Sequence, residues 1–265
     1  MAVLLTGERN ARFALYARPM ARNVVISGGG TGIGLAAAHA FAGDGDRVLL
    51  LGRRREVLEK AAVPGALTYA GDLSEPEVVR GVGRFVAEEF GTVDVLVHGA
   101  GGTGALEPAS ASSDPLDRVA HDWTVNFRIN TLSAALLTET LKPRLAEPGG
   151  RVLFVSSIAA YRGSGSGAYG GAKAALHPYA YDLARDLGPR GITVNVVAPG
   201  YIEDTEFFGP RIDSARRERL INDTSTGRAG TPGDVAATLH WLASPAAGHV
   251  TSQVIQVNGG AERGR

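Results

Sequence analysis

Short apolar runs alternate with helical patterns along almost the whole chain, and this alternation constrains the fold more than any other feature. Seven such runs can be recognised, at 23–27, 47–51, 66–70, 93–98, 151–156, 192–197 and 253–257. Their lack of strict polar alternation is typical of parallel strands that are covered on both faces. Because strand–helix–strand crossovers are right-handed, the pattern predicts an α/β fold with a doubly wound, seven-stranded parallel sheet.

The first 22 residues differ from the rest. They carry four arginines against one acidic residue and lack the apolar core of a secretory signal. We expect a disordered N-terminal extension over residues 1–22, with Met20 as a candidate natural start and a mitochondrial transit peptide as the alternative. No linker rich in proline, glycine or serine divides the remainder, so residues 23–265 are predicted to form one domain.

Composition excludes several classes of protein. The chain of 265 residues has 27 basic and 27 acidic residues, and this balance predicts neither nucleic-acid nor anionic-membrane partners. It contains no cysteine, which excludes disulfides and thiolate metal sites, and no metal is expected. No apolar stretch approaches the ~20 residues that span a membrane. A cytoplasmic protein is the expectation.

A glycine-rich segment, SGGGTGIG at 27–34, lies between the first apolar run and a helical pattern. Glycines at a strand exit permit a tight turn, and the N–H groups of the following helix favour a phosphate. The spacing of Gly28, Gly32 and Gly34 differs from the usual GxGxxG. With a strand before it and a helix after it, the segment predicts a dinucleotide site.

The second apolar run ends in three consecutive arginines, 53–55, without an acidic residue. A carboxylate at this position binds the 2′-hydroxyl of NAD, whereas arginine accommodates the 2′-phosphate of NADP. We therefore predict NADP(H) over NAD, with Arg53 as the phosphate contact and Arg54 as its alternative. The competing interpretation is a basic helix start that only faces solvent.

Tyr169 and Lys173 are four residues apart and therefore share one face of a predicted helix. A phenol can donate its proton, and an adjacent ammonium is expected to lower the pKa of that phenol. The fifth apolar run ends in Ser156-Ser157, so a serine hydroxyl can reach the oxygen that Tyr169 protonates. These residues predict proton exchange with a carbonyl or alcohol oxygen beside a nicotinamide.

With these motifs the chain resembles the short-chain dehydrogenase/reductases, over about residues 23–260. The resemblance implies a Rossmann-like single domain with helices on both faces of the sheet, in mostly tetrameric proteins. Further segments that match the family are Gly71-Asp72-Leu73, Trp123 with Asn130 seven residues later, Asn195–Gly200, Asp234–Ala236 and Val257–Gly260.

The resemblance implies a role for each matching residue. Tyr169 is the expected general acid in reduction, Lys173 holds the nicotinamide ribose and tunes Tyr169, and Asn130 carries a water relay. Ser157 is preferred to Ser156 for positioning the carbonyl, although its spacing to Tyr169 is one residue shorter than usual. The expected cofactor contacts are Gly28, Thr31, Gly32, Ile33, Gly34, Arg53, Arg54, Asp72, Leu73, Ala100, Gly101, Tyr169, Lys173, Pro199, Gly200 and Ile202.

The chain also departs from the family pattern. His98-Gly99 replaces the usual Asn-Asn, which removes an amide that braces the central strands. Pro178 lacks an N–H and is predicted to kink the helix beyond Tyr169. Two long polar segments, 101–122 and 201–233, are predicted to lie at the substrate edge of the sheet.

The predicted function is an NADPH-dependent oxidoreductase acting on a ketone or secondary alcohol. A 3-oxoacyl thioester on an acidic carrier and a polyketide-like ketone remain alternatives, with Lys142 and Arg190 as candidate carrier contacts. A different class, a dinucleotide sensor or scaffold without turnover, predicts a broken catalytic set, and this sequence retains all four residues. A homotetramer is expected from the resemblance.

Overall fold

The computed structural model describes residues 21–104, 107–207 and 212–263. The strands form a seven-stranded, wholly parallel sheet in the order β3-β2-β1-β4-β5-β6-β7. This confirms the predicted fold class, and each strand lies within two residues of its predicted bounds. The strands are β1 Asn23–Ser27, β2 Arg47–Gly52, β3 Leu67–Ala70, β4 Val95–His98, β5 Arg151–Val155, β6 Thr193–Pro199 and β7 Val254–Val257.

Ten α-helices occur in the described residues, most of them between consecutive strands. They are α1 Gly32–Gly43, α2 Arg55–Glu59, α3 Pro76–Glu89, α4 Pro115–Phe127, α5 Ser133–Leu141, α6 Ala159–Arg162, α7 Gly167–Ala174, α8 Leu176–Leu187, α9 Ser214–Asn222 and α10 Pro232–Leu242. A π-helical turn, Arg128–Leu132, joins α4 to α5. Within the described ranges no helix has the length and apolarity needed to cross a membrane.

The hydrophobic core has two halves, one on each face of the sheet. Successive strand residues point to opposite faces, so each strand contributes to both halves. One half packs under α3, α5 and α8 and includes Val25, Leu49, Leu96 and Phe154. The other packs under α1 and α10 and includes Ile26, Leu50, Val97 and Leu153. Because both faces are buried, the strands show no polar alternation.

The strand order reverses between β1 and β4, which opens a crevice beyond their carboxyl ends. Ser27 of β1 lies opposite His98 of β4, and the glycine-rich turn leaves the sheet immediately after Ser27. In open α/β sheets, ligands bind at such a switch point. The fold therefore places the predicted dinucleotide turn at the usual binding position.

Arg22 belongs to the folded domain, which corrects the predicted boundary between residues 22 and 23. Its guanidinium lies 2.6 Å from the Asp46 carboxylate and donates to the Ala243 carbonyl at 2.8 Å. It also lies over the Phe41 ring. These contacts anchor the chain before β1. Most of the predicted extension over residues 1–22, namely residues 1–20 with the Met20 start, lies outside the described residues.

Candidate active site

The predicted cofactor contacts all lie at the carboxyl edge of the sheet or on the helices that begin there. The glycine-rich turn follows β1 and the arginines follow β2, while Gly200 follows β6. Gly200 donates its N–H to the Val257 carbonyl at 3.0 Å, which ties the end of β6 to the end of β7. Ile202 is buried two residues further on.

The turn after β1 presents backbone to the crevice. Gly28 has a φ of +69° and donates its N–H to the Leu51 carbonyl at 2.8 Å. A Cβ at Gly34 would lie 2.2 Å from the Gly28 oxygen, and one at Gly28 would lie 2.7 Å from the Ala100 nitrogen. Helix α1 starts directly after this turn, and the N–H groups of its first turn have no intrahelical acceptor. This close-packed helix start fits a dinucleotide pyrophosphate.

Asp72 and Leu73 follow β3 at the same edge. The Asp72 carboxylate accepts hydrogen bonds from the N–H and the hydroxyl of Ser74, at 2.9 and 2.7 Å. Burial opposes ionisation, but these hydrogen bonds, together with Arg128 and Arg53, lower the pKa of Asp72. Asp72 is therefore a fixed, ionised acceptor that can receive a hydrogen bond from a cofactor.

Arg53 and Arg54, which follow β2, are each paired with a carboxylate that is distant in sequence. Arg53 forms an ion pair with Glu107, in the segment after β4, and Arg54 forms one with Glu206, in the segment after β6. Glu107 also binds Arg128, at 2.9 Å. No acidic residue lies between Val48 and Arg55 in sequence, but the fold brings two carboxylates to Arg53 and Arg54 in space.

Tyr169 lies on α7, whose N-terminus is capped by the Ser166 hydroxyl. The phenol is buried, and this burial raises its pKa to about 12, while a side-chain hydrogen bond with Ser157 acts in the opposite direction. The ring of Phe207, in the second long segment, lies 5.2 Å from the Tyr169 ring. The site therefore contains a protonated phenol next to a serine hydroxyl, and the Phe207 ring packs against that phenol.

The two adjacent serines have different surroundings. The Ser156 hydroxyl donates to the Lys173 carbonyl at 3.1 Å and contacts Nε2 of His177 at 2.8 Å, inside the protein. The Ser157 hydroxyl accepts from the Ala159 N–H at 3.1 Å and faces Tyr169. Ser156 thus braces α7, and Ser157 is the serine with access to the phenol.

Lys173 is buried one turn after Tyr169 on the same helix. Its Nζ donates to the Val155 carbonyl at 2.8 Å, and burial lowers its pKa to about 8. The expectation that Lys173 lowers the pKa of Tyr169 is wrong for this structure, because burial of the phenol dominates and the ammonium is bonded elsewhere. A Cβ at Gly101 would lie only 2.8 Å from Nζ, so a glycine here leaves room beside the amine.

Asn130 lies in the π-helical turn between α4 and α5 and is buried. Its amide donates to the Gly102 and Asn126 carbonyls, each at 2.9 Å, and its oxygen accepts from the Gly102 N–H at 3.0 Å. Both amide hydrogens are therefore used, and the oxygen keeps one lone pair. The side chain fixes the start of the segment after β4 beside Lys173.

Comparisons with known proteins agree with this geometry. A family model described as enoyl-(acyl carrier protein) reductase matches residues 28–262. The chain is 36% identical over 245 residues to an uncharacterized oxidoreductase of Mycobacterium tuberculosis, covering 89% of this chain and 90% of the relative. It is 30% identical over 246 residues to the 3-oxoacyl-acyl-carrier-protein reductase FabG of Vibrio cholerae, covering 89% and 95%. The chain belongs to the short-chain dehydrogenase/reductase family.

A solved structure supports the same assignment. A short-chain dehydrogenase from Burkholderia cenocepacia in complex with NADP matches with a TM-score of 0.78 and 30% identity, covering 91% of this chain and 97% of that one. As a member of the family, the protein is an oxidoreductase that acts on CH–OH or C=O groups with a nicotinamide cofactor.

In this short-chain dehydrogenase/reductase His98 occupies the place of the family's asparagine as a neutral core residue. Its ring stacks on Phe154 with centroids 4.5 Å apart, and Nε2 contacts the Thr138 hydroxyl at 2.8 Å. Burial is the main cause that lowers the pKa of His98 to about 3, and the charge of the nearby Lys173 adds to it. The imidazole therefore braces β4 against α5, as the missing amide would brace the central strands.

Near Pro178 the helix is interrupted for one residue, between α7 and α8, and the backbone of that residue, Ala175, stays in the helical region. The break falls at Ala175, and the missing N–H of Pro178 is the one that would bond to the Ala174 carbonyl. Tyr169 and Lys173 precede it on an intact helix. The proline therefore costs a helical hydrogen bond without separating the pair.

Lys142 and Arg190, the candidate carrier contacts, lie away from the active site. Lys142 follows α5 and Arg190 follows α8, so both lie at the amino edge of the sheet, before β5 and β6 and opposite to Tyr169. Lys142 lies 2.6 Å from Asp186, and Arg190 is bonded to Glu147 at 2.6 Å. Both cations are locally neutralised.

Proposed function

We propose that this protein is an NADPH-dependent reductase of a ketone, or the corresponding dehydrogenase of a secondary alcohol in reverse. The observation that carries the proposal is the placement of the Ser157 hydroxyl against the buried Tyr169 phenol, with Lys173 one turn further along the same helix. When bound, the nicotinamide supplies the hydride in reduction. The residues that would hold the dinucleotide are those of the glycine-rich turn, Arg53, Asp72 and Lys173.

The roles of Tyr169 and Ser157 follow from their protonation. A phenol with a pKa of about 12 keeps its proton at neutral pH and can donate it as a general acid. The Ser157 hydroxyl, adjacent to that phenol, would orient and polarise the carbonyl oxygen. Phe207 would cover the reacting centre and exclude water, since its ring already packs against Tyr169.

Lys173 and Asn130 would complete the proton path. The lysine amine has space beside Gly101, where it can bind the nicotinamide ribose. The free lone pair of the Asn130 oxygen can hold a water molecule. The family assignment disfavours the alternative from the sequence, a non-catalytic dinucleotide sensor. The intact and mutually oriented catalytic set favours the enzyme.

Cofactor preference gives the first prediction. We expect NADPH to be used at least about tenfold better than NADH, or roughly 1.4 kcal/mol, because a guanidinium forms charge-assisted hydrogen bonds with phosphate. An Arg53→Asp variant should lose or reverse this preference. The measurement is kcat/KM for both cofactors with one carbonyl substrate. Equal or better use of NADH by the wild-type protein would contradict the proposal.

The substrate would be a small or polyketide-like ketone, or a 3-oxoacyl thioester like that implied by the name of the Vibrio cholerae relative. The cations at the amino edge of the sheet do not support carrier binding near the site. A screen of carbonyl compounds that follows the loss of NADPH absorbance would separate these classes. A class of compounds that is bound but not reduced would be excluded as the substrate.

A homo-oligomer is proposed from an apolar face of α4. Four large side chains on this helix are 50–77% exposed: Leu116, Val119, Trp123 and Phe127. Their spacing places them along one side of the helix. A contiguous apolar stripe of this kind is typical of protein–protein interfaces. The partner we propose is a second copy of the chain, in a tetramer.

This oligomer gives the second prediction. A Leu116→Glu/Val119→Glu double variant should dissociate into smaller species, because buried carboxylates would oppose association. The matched control is Arg118→Glu, which adds negative charge to the same helix outside the stripe. Sedimentation velocity measures both. An unchanged assembly in the double variant would show that this stripe is not the interface.

A further inference from the structure

Glu107 is a buried carboxylate placed between two arginines at the cofactor edge. Its side chain is only 6% exposed, although the residue lies in the long segment after β4. One carboxylate oxygen binds Arg53, and the other binds Arg128 at 2.9 Å. A turn in which the Glu107 N–H donates to the Gly104 carbonyl, at 2.9 Å, holds the residue in this position.

Arg128 connects this carboxylate to the rest of the edge. It is the first residue of the π-helical turn that contains Asn130. Its guanidinium lies 3.9 Å from Asp72 and 3.6 Å from Glu75. Arg128 therefore reaches from Asp72, an expected cofactor contact, to the carboxylate that binds Arg53, the arginine proposed to bind the 2′-phosphate.

Two guanidiniums that converge on one carboxylate form an anion site. Guanidinium groups bind phosphate and carboxylate oxygens through the same forked pattern of N–H donors. A dianionic phosphate that entered the site would meet Glu107 as a like charge. The phosphate and the Glu107 carboxylate therefore cannot share the two arginines without a large electrostatic cost.

We propose that Arg128 forms the 2′-phosphate site together with Arg53, and that Glu107 occupies this site in the cofactor-free protein and is displaced by NADP. This inference rests on the proposed NADPH dependence. NAD carries a hydroxyl in place of this phosphate, so it leaves the carboxylate on its arginines. Glu107 is thus an internal competitor that selectively weakens NADP binding and sets the ratio of the two affinities.

The ion pair of Arg54 with Glu206 differs in kind. Both side chains are about half exposed, at 42% and 51%, and exposed pairs contribute little. Glu107, by contrast, is 6% exposed and binds two arginines at once, although these are themselves 40% and 36% exposed. Displacement of this carboxylate by a ligand is therefore the exchange that alters affinity. This contrast identifies Glu107, rather than Glu206, as the residue to change.

The test measures the binding of NADP⁺ and of NAD⁺ to the full chain by calorimetry, without turnover. A Glu107→Gln variant keeps the shape of the side chain but removes its charge. We expect it to bind NADP⁺ about tenfold more tightly and NAD⁺ unchanged within about twofold. The matched control is Glu75→Gln, which removes another carboxylate beside Arg128 and should leave both affinities unchanged. An Arg128→Gln variant should weaken NADP⁺ binding at least tenfold and spare NAD⁺.

Other outcomes overturn the inference. If Glu107→Gln leaves NADP⁺ affinity unchanged or weakens it, the carboxylate does not compete with the phosphate. An equal gain for both dinucleotides would mean that Glu107 restricts the whole cleft instead. The proposed NADPH dependence is tested separately by Arg53→Asp: if that change leaves the NADP⁺/NAD⁺ ratio unaltered, the dependence fails, whatever Glu107 does. Thermal melts of each variant establish that it is folded.

Discussion

A Tyr169→Phe variant is expected to reduce its carbonyl substrate at least 10²–10⁴-fold more slowly than the wild-type protein, which is the range typical of general acid catalysis. The change keeps the ring that packs against Phe207 and removes only the hydroxyl. Tyr169 carries the only hydroxyl on α7, so no other side chain of this helix can replace it as the proton donor. The proton donor is therefore lost while the shape of the site is retained.

Single-turnover kinetics with saturating NADPH would measure this loss at the chemical step. Cofactor affinity should change little, because the phenol makes only a small part of a large dinucleotide interface. A Tyr179→Phe variant is the control, since it removes a phenol that is bonded to Glu139 outside the site. Near-normal turnover by Tyr169→Phe on the true substrate would refute the assignment of the general acid.

A Lys173→Met variant is expected to combine a large loss of turnover with weaker cofactor binding. The ammonium is bonded to the Val155 carbonyl and has room beside Gly101, so it can serve the ribose and the proton path together. Methionine fills a similar volume without the charge. Calorimetry with NADP⁺ and steady-state kinetics would separate the two effects. Unchanged cofactor affinity would limit Lys173 to the chemical step.

The pH profile provides a second readout for Lys173. Burial lowers its pKa to about 8, so the ammonium loses its proton as the pH rises through that value. The Tyr169 phenol keeps its proton over the same range, because its pKa is raised to about 12. Reduction should therefore decline above about pH 8, and this step should disappear in Lys173→Met. A wild-type profile that is flat through pH 9 would contradict it.

Much of the site could be predicted from local sequence. Tyr169 and Lys173 share a helix face because four residues make about one helical turn, and the surrounding small residues allow that helix to pack closely. The need for glycine at positions 28 and 34 also follows from a short-range contact, because a Cβ at Gly34 would lie 2.2 Å from the Gly28 oxygen. These contacts are between residues that are close in sequence, so the sequence predicts them.

The electrostatics of the site could not be predicted in this way. An amine four residues from a phenol suggested a lowered pKa, but both groups are buried and the amine is bonded to Val155. Desolvation then dominates and raises the pKa of Tyr169. Burial depends on which helices cover the site, and no spacing along the chain reports it.

The alternation of apolar runs and helical patterns was sufficient for the sheet, its parallel direction and the edge at which the motifs meet. These features follow from periodicity and from the handedness of crossovers, which operate between adjacent elements. The charges around Arg53, by contrast, come from residues far away in sequence. Its partner Glu107 is 54 residues away, and Arg128, which shares that carboxylate, is 75 residues away. Only the folding of the segment after β4 and of the π-helical turn brings those charges together, because charge pairing acts through space and carries no local signal.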